Sequence, residues 1–382
     1  MNGIGASLVL DSQWNEGYCA RIIVTNQHPS ATTGTWSVEL NLGASSAQDP
    51  WGGSFSGSTG QVTVNPAGYN AAIAPSQSTQ FGFCASRPNR TVQATLVSVT
   101  SDLPPAGGGD VAPACPSARF EVDQADDTTL HQIKVMYVLP SDMTDEKLDT
   151  KHNRVCNSVA SFTSWFFGQS GGSAPRLDTA NGVLDIRFVR LPVSDAALLG
   201  TEPPNLRNRL EEELIMGGYI APNKLYAVYH GGTNPETCGG GAYPTLIPGQ
   251  VAAMYVKGNP GVACETIPWG TSRTQPAYMD YGMLHEIVHT LGFVAQAAPN
   301  HIESPAPVGH VFDDAVPPAE AARDLMYLQL SGNPPWDILN PDGLILDIGR
   351  DDYFDHGEPH LDLGKSAFLE PLPPDALPPP GW

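Results

Sequence analysis

The sequence predicts two domains: an all-β sandwich, then an α+β domain with a mixed sheet and one histidine-bearing helix. Three observations carry that prediction. Residues 1–101 contain only short strand-like runs between turn residues. Residues 102–118, DLPPAGGGDVAPACPSA, read as a partly stiff Pro/Gly/Ala linker. From 119 to about 370 strand and helix patterns alternate, and a Pro-rich tail follows at 371–382. A length of 382 residues also suits two domains better than one.

Composition narrows the function classes. Nineteen basic residues stand against 40 acidic ones, a net charge of −21. Nucleic acid and anionic membrane surfaces both require a basic face, so neither is an expected partner. Residues 1–100 are near neutral and contain no lysine, whereas almost all the negative charge lies beyond them. Six dispersed cysteines with no CxxC pair argue against a cysteine-rich zinc site and for disulfides in an oxidising compartment. The local pairing 19–84, 115–156, 238–264 is one of fifteen connectivities. MNGIGASLVL has neither a basic start nor a long apolar run, so no signal peptide is expected in this sequence. The chain is read as a secreted monomer.

In the first unit, ARIIVTN, TWSVELNL, GQVTVN, STQFGFCAS and TVQATLVSV are β-branched or aromatic runs separated by Gly, Ser, Asn and Pro. In the second, HQIKVMYVL, VLDIRFVRL and KLYAVYHGG read as strands, and VAAMYVKG as an edge strand. DEKLDTKHNRVCNSVASFTSWFFG, NLRNRLEEELIMGG (from Asn205) and YMDYGMLHEIVHTLG show helical spacing and stop near glycine.

Three aromatics of the first unit sit in polar, turn-like surroundings: Trp14, Trp51 and Tyr69. Trp36 alternates inward and reads as core. Exposed rings cost solubility, and stacking on the apolar face of sugar rings is a reason to keep them. The runs WNEGYCARIIVTN, TWSVELNL, Trp51 before a GxVTV strand, and YNAAIAPSQSTQFGFCAS resemble a family 2 carbohydrate-binding module. The resemblance implies a flat face of Trp14, Trp51 and Tyr69 for cellulose, or for chitin or xylan. That family often joins cysteines at its two ends, whereas Cys19 and Cys84 lie inside.

In the second unit His285 and His289 stand four apart, which puts both on one helix face within reach of one zinc ion. Glu286 follows as general base for a metal-activated water. Gly292 is placed to end the helix in a left-handed conformation. A catalytic zinc needs a third protein ligand. His301, His310 and Asp313 are the candidates downstream, and Asp313 could instead orient a ligand histidine.

HEIVHTLG, GHVFDD and DLMY together resemble the metzincin metallopeptidases. The common form carries its third histidine three residues after the glycine, where this chain has Ala295. Leishmanolysin-like members insert a segment there, and the chain is similar to that variant. The resemblance implies a zinc endopeptidase with His310 as third ligand, His301 as the alternative, and Met326 in a turn beneath the metal. Protein or peptide is then the substrate. Two rivals remain: a catalytically silent polysaccharide-binding protein, and a zinc hydrolase acting on a non-peptide bond such as an acyl group. Tyr327 and Tyr353 read as core more readily than as oxyanion donors. LDIGRDDYFDHGEPHLD could hold calcium but lacks a clean loop pattern, so it reads as solvated acidic surface. His131, His152, His230, His356 and His360 lack a usable spacing.

Overall fold

A computed structural model describes residues 4–26, 32–74, 77–102, 111–200, 206–244, 246–260, 263–302, 309–328, 335–336 and 343–380. The chain divides into two compact units, 1–109 and 110–382. Residues 103–110 of the expected linker and the helix start at Asn205 lie outside the described residues.

The first unit is antiparallel throughout. Its strands are β1 (Ile4–Trp14), β2 (Gly17–Asn26), β3 (Trp36–Trp51), β4 (Gly53–Phe55), β5 (Thr59–Pro66), β6 (Ser78–Ser86) and β7 (Thr95–Ser101). The first part of β3 pairs with β5 and β7, and its last part pairs with β6, with register shifts between. One long strand thus turns from one layer into the other, as strands do at sandwich corners. The layers close on Tyr18, Ile22, Trp36, Val38, Leu40, Val64, Phe81 and Phe83. Trp36 stacks on Phe81 with centroids 5.6 Å apart, and its indole N–H donates to the Asn70 carbonyl at 2.8 Å. Burying a ring such as Phe81 contributes roughly 1.5–3 kcal/mol. Strand β1 was not expected from the sequence. It is the sheet edge, with Ile4, Ala6, Leu8 and Leu10 alternating onto the core and its last residues exposed.

The second unit starts from β8 (Gln132–Leu139) and α1 (Arg154–Ser170). Short ladders β9 (Ala174–Pro175), β10 (Thr179–Ala180) and β11 (Val183–Leu184) precede β12 (Ile186–Arg190). Then come α2 (Asp195–Leu199), α3 (Leu206–Met216), β13 (Lys224–Asn234), β14 (Gly239–Tyr243), β15 (Ile247–Gly258) and α4 (Tyr278–Leu291). The main sheet runs β12-β8-β13-β15-β14, parallel at its first three junctions and antiparallel at the last. Helices α1 and α4 cover one face through Val159, Phe162, Met283 and Leu284, and α3 covers the other through Leu206, Leu210 and Leu214. Burial on both faces explains why these strands are near-continuous apolar runs.

Several expectations shift. The run VAAMYVKG is an inner strand; the edge is β14, whose Gly-Gly-Gly start hides it from propensity. Helix α1 begins at Arg154, because Asp145 and Asp149 fold back onto Arg119 and because His152 and Asn153 take left-handed backbone. Residues 111–118 belong to the second unit, where Cys115 is bonded to Cys156 and the Arg273 guanidinium donates to the Pro113 carbonyl at 2.7 Å. The Pro-rich segment is not a loose tail, since Leu377 exchanges backbone hydrogen bonds with Lys365 and Ala367. The cysteine pairs are 19–84, 115–156 and 238–264.

Candidate functional site

In the first unit Trp14 and Trp51 remain 48% and 45% exposed and Tyr69 80%. Strand pairing sets their geometry. A Cβ on Gly17 would stand 2.4 Å from the Trp14 ring, and one on Gly82 would stand 2.6 Å from the Trp51 ring. Gly82 lies opposite Arg21, four residues along β2 from Gly17. Alternation puts both glycines on one outward face, with the rings about 13 Å apart along the strand. The Cys19–Cys84 bridge joins the row midway between them. Asn70 secures the loop carrying Tyr69: its side-chain amide donates to the Gly52 carbonyl, next to Trp51, at 2.7 Å. Gly17 and Gly82 had no functional signal in the sequence. Only the register reveals that each leaves room for a ring.

In the second unit α4 is buried along nearly its whole length. The Asp280 carboxylate caps its start, accepting the N–H groups of Ala277 at 2.8 Å and Gly270 at 2.7 Å. Gly292, with φ 72°, ends it. The structure brings His285, His289 and His310 together. Their Nε2 atoms are 3.0 Å apart for 285–289 and 3.2 Å for each pair with His310. His285 Nδ1 donates to the Leu325 carbonyl at 2.6 Å, which leaves its Nε2 lone pair directed at the other two rings. Burial, then the neighbouring His310, lowers the His285 pKa to about 3, and the same causes hold His289 well below its ordinary value. Neutral imidazoles are the metal-binding form. Three nitrogens at 2.0–2.1 Å from a tetrahedral zinc stand roughly 3.3 Å from one another, so the three rings fit that ion.

His310 is placed by its neighbours. Val311 N–H donates to the Met326 carbonyl at 3.0 Å, and Ile302 N–H donates to the His310 carbonyl at 3.0 Å. Gly309, at φ 84°, passes so close that a Cβ would stand 2.8 Å from His289 Nδ1. His301 is not in the trio; its Nε2 accepts the Gly309 N–H at 3.2 Å and so shapes the loop that presents His310. Asp313 accepts the Ala315 N–H at 2.8 Å, and the orienting acceptor for His285 is the Leu325 carbonyl. Met326 is fully buried in the 324–327 turn, its N–H donating to Asp324 Oδ1 at 2.7 Å. Tyr353 is core, its hydroxyl 2.9 Å from the same carboxylate oxygen. His230 is buried in the sheet.

Glu286 faces a cleft of about 520 Å³ lined by the three histidines, Gly239–Tyr243, Tyr278, Tyr327 and Trp336. Burial pushes its carboxyl up to about 8, against the pull of the Gly241 N–H. Gly239 and Trp336 escaped the sequence reading. A Cβ on Gly239 would stand 2.4 Å from Glu286 Oε1. The Trp336 ring lies 5.1 Å from the His285 ring, and its N–H donates to the Asp324 carbonyl at 2.8 Å.

Comparison with known proteins bears on the first unit. Residues 4–103 match the family model described as Cellulose binding domain. Endoglucanase E-5 of Thermobifida fusca is 26% identical over 145 residues, covering 38% of this chain and 31% of that enzyme. The chitin-binding domain of Chi18aC from Streptomyces coelicolor is 20% identical, with 27% of this chain and 92% of that one covered and a TM-score of 0.21. The C-terminal xylan binding domain of Cellulomonas fimi xylanase 11A is 23% identical, with 25% and 96% covered and a TM-score of 0.19. The first unit is a module of the cellulose-binding domain family.

Proposed function

We propose that the protein is an extracellular zinc-dependent endopeptidase of metzincin type, held on cellulose or a related polysaccharide by its first unit. The observation that carries the catalytic reading is the convergence of three imidazoles beside Glu286 in an open cleft. His285, His289 and His310 would hold the ion. Zinc, when bound, supplies Lewis acidity toward a carbonyl oxygen and acidifies water. Glu286 accepts the proton of the attacking water and delivers it to the leaving nitrogen. Strand β14 is the sheet edge and lines the cleft, so an extended peptide could lie along it as an added strand. The three disulfides suit an oxidising compartment, and among the described residues no helix is long and apolar enough to cross a membrane.

The module is the one observation favouring the rival substrate, an acyl group on the polysaccharide itself. Incubating the zinc-loaded chain with casein and, separately, with acetylated xylan separates the readings. The proposal expects casein cleavage that chelator and Glu286→Gln both abolish. Acetate release without casein cleavage favours the rival, and neither activity favours a silent binding protein. For the first unit, retention on cellulose is expected, and unchanged retention of Trp51→Ala would refute the aromatic face.

A further inference from the structure

The first part of the acidic segment singled out in the sequence, 347–352, is not a solvated surface, whereas Asp355 and Glu358 are exposed. Asp347 is 3% exposed and Asp352 1%. Carboxylate oxygens of Asp347, Asp351 and Asp352 all lie within 4.8 Å of one another. Asp347 Oδ2 accepts the N–H groups of Tyr353 at 2.8 Å and Phe354 at 2.7 Å. Its Oδ1 is buried, and no hydrogen-bond donor among the described residues reaches it. Asp351 Oδ1 is in the same state. Asp352 accepts the backbone N–H of Asn300 at 2.8 Å and its side-chain amide at 3.1 Å. Arg350, the basic residue beside the cluster in sequence, turns instead to Asp355 and to the Gln169 carbonyl.

Another acidic group of the same unit shows the contrast. Asp123, Asp178 and Asp185 also converge, but around two buried lysines. Lys224 Nζ lies 2.7 Å from Asp178, and Lys134 contacts both Asp178 and Asp185. There the chain supplies its own cations. Around Asp347, Asp351 and Asp352 no ion pair is made among the described residues. Buried carboxylate oxygens are costly unless paired or bound to a metal.

We propose that Asp347, Asp351 and Asp352 form a calcium site. Hard carboxylate oxygens are the donors that Ca²⁺ takes, at 2.3–2.6 Å, so two oxygens across one ion stand at most roughly 5 Å apart. Mg²⁺, at 2.0–2.1 Å, demands a tighter octahedron and keeps more of its water. The site braces the wall behind the histidines. Asp324 accepts the Ile348 N–H at 2.8 Å, the Met326 N–H at 2.7 Å and the Tyr353 hydroxyl at 2.9 Å. A cation fastening residues 347–352 therefore fixes the turn whose Leu325 carbonyl orients His285. The site itself does not depend on the peptidase reading.

The full chain, stripped of metal with chelator and dialysed, is followed by calorimetric unfolding with and without Ca²⁺. Calcium at a hundredfold excess over its Kd raises the melting of the second unit by roughly 5–10 °C and leaves the first unit unmoved. Asp351→Asn is the variant of choice because Asp351 is only half-buried and the substitution keeps its shape. It removes the shift while the calcium-free melting temperature stays within a few degrees of wild type. Terbium luminescence sensitised by Tyr353 gives a second readout, present in wild type and lost in Asp351→Asn. No calcium-dependent shift in the wild type, or an equal shift in the variant, overturns the site.

Discussion

The aromatic face of the first unit and the histidine centre of the second are assembled in opposite ways. The face lies on the outside of a sheet, where pairing between β1, β2, β6 and β3 spaces two rings over two glycines. Trp14 and Trp51 each pack over a separate glycine, so each is expected to contribute on its own. The centre lies at the base of a cleft, and its groups come from α4, from the loop at Gly309–His310 and from the turn at Asp324–Tyr327. Three segments distant in sequence must agree within a few tenths of an ångström. The first arrangement should lose function in graded steps, and the second all at once.

The largest expected effect tests the all-or-none side. Glu286→Gln should reduce casein cleavage about a thousandfold while retaining zinc and leaving cellulose retention unchanged. A fall in retention would show that the two units do not act separately.

Acid lability comes next. His230 is buried in the second unit, no described residue hydrogen-bonds either ring nitrogen, and burial lowers its pKa from 6.5 to about 4. The unfolded chain binds the proton first, so this stability is full above pH 6.5 and is lost as pH falls toward 4. The amount is on the order of 3 kcal/mol. Unfolding of the second unit should therefore be strongly pH-dependent in that window, and His230→Phe should reduce the dependence by the share of one proton, with the buried His285 and His289 supplying the rest.

The graded side is probed by smaller changes. Trp51→Ala should weaken adsorption to cellulose roughly ten- to a hundredfold and leave casein cleavage intact. Gly17→Ala should weaken it only several-fold, because the atoms nearest the added methyl are those of the half-exposed Trp14 ring, which can swing away into solvent. Isotherms that drop equally for both would mean that the face, too, fails as a unit.

How far each region could be read from sequence follows the same division. Strands β2, β5 and β6 announce themselves through β-branched alternation, and α4 through its spacing and Gly292. Trp14, Trp51 and Tyr69 stand out because aromatic residues in polar turns are anomalous. What lay beneath them, Gly17 and Gly82, depends on which strand pairs with which. Strand β14 is masked by its glycines, although a Cβ at Gly239 would collide with Glu286. The choice between His301 and His310 had only a weak local signal, Gly309 before His310 and the spacing from His310 to the Asp-Leu-Met turn. Both follow Gly292 in irregular chain, and only the long-range bonding of Val311 to Met326 aims one into the centre and leaves the other on the Gly309 N–H. Trp336 and the Leu325 carbonyl are likewise visible only once distant segments are packed.

The most direct measurement is the zinc content of purified wild-type, His310→Ala and His301→Ala protein after zinc loading and removal of loose metal. One zinc per chain in the wild type, near zero in His310→Ala, and close to one in His301→Ala is the predicted result. No zinc in the wild type, or zinc retained by His310→Ala and lost from His301→Ala, would contradict the three-histidine centre.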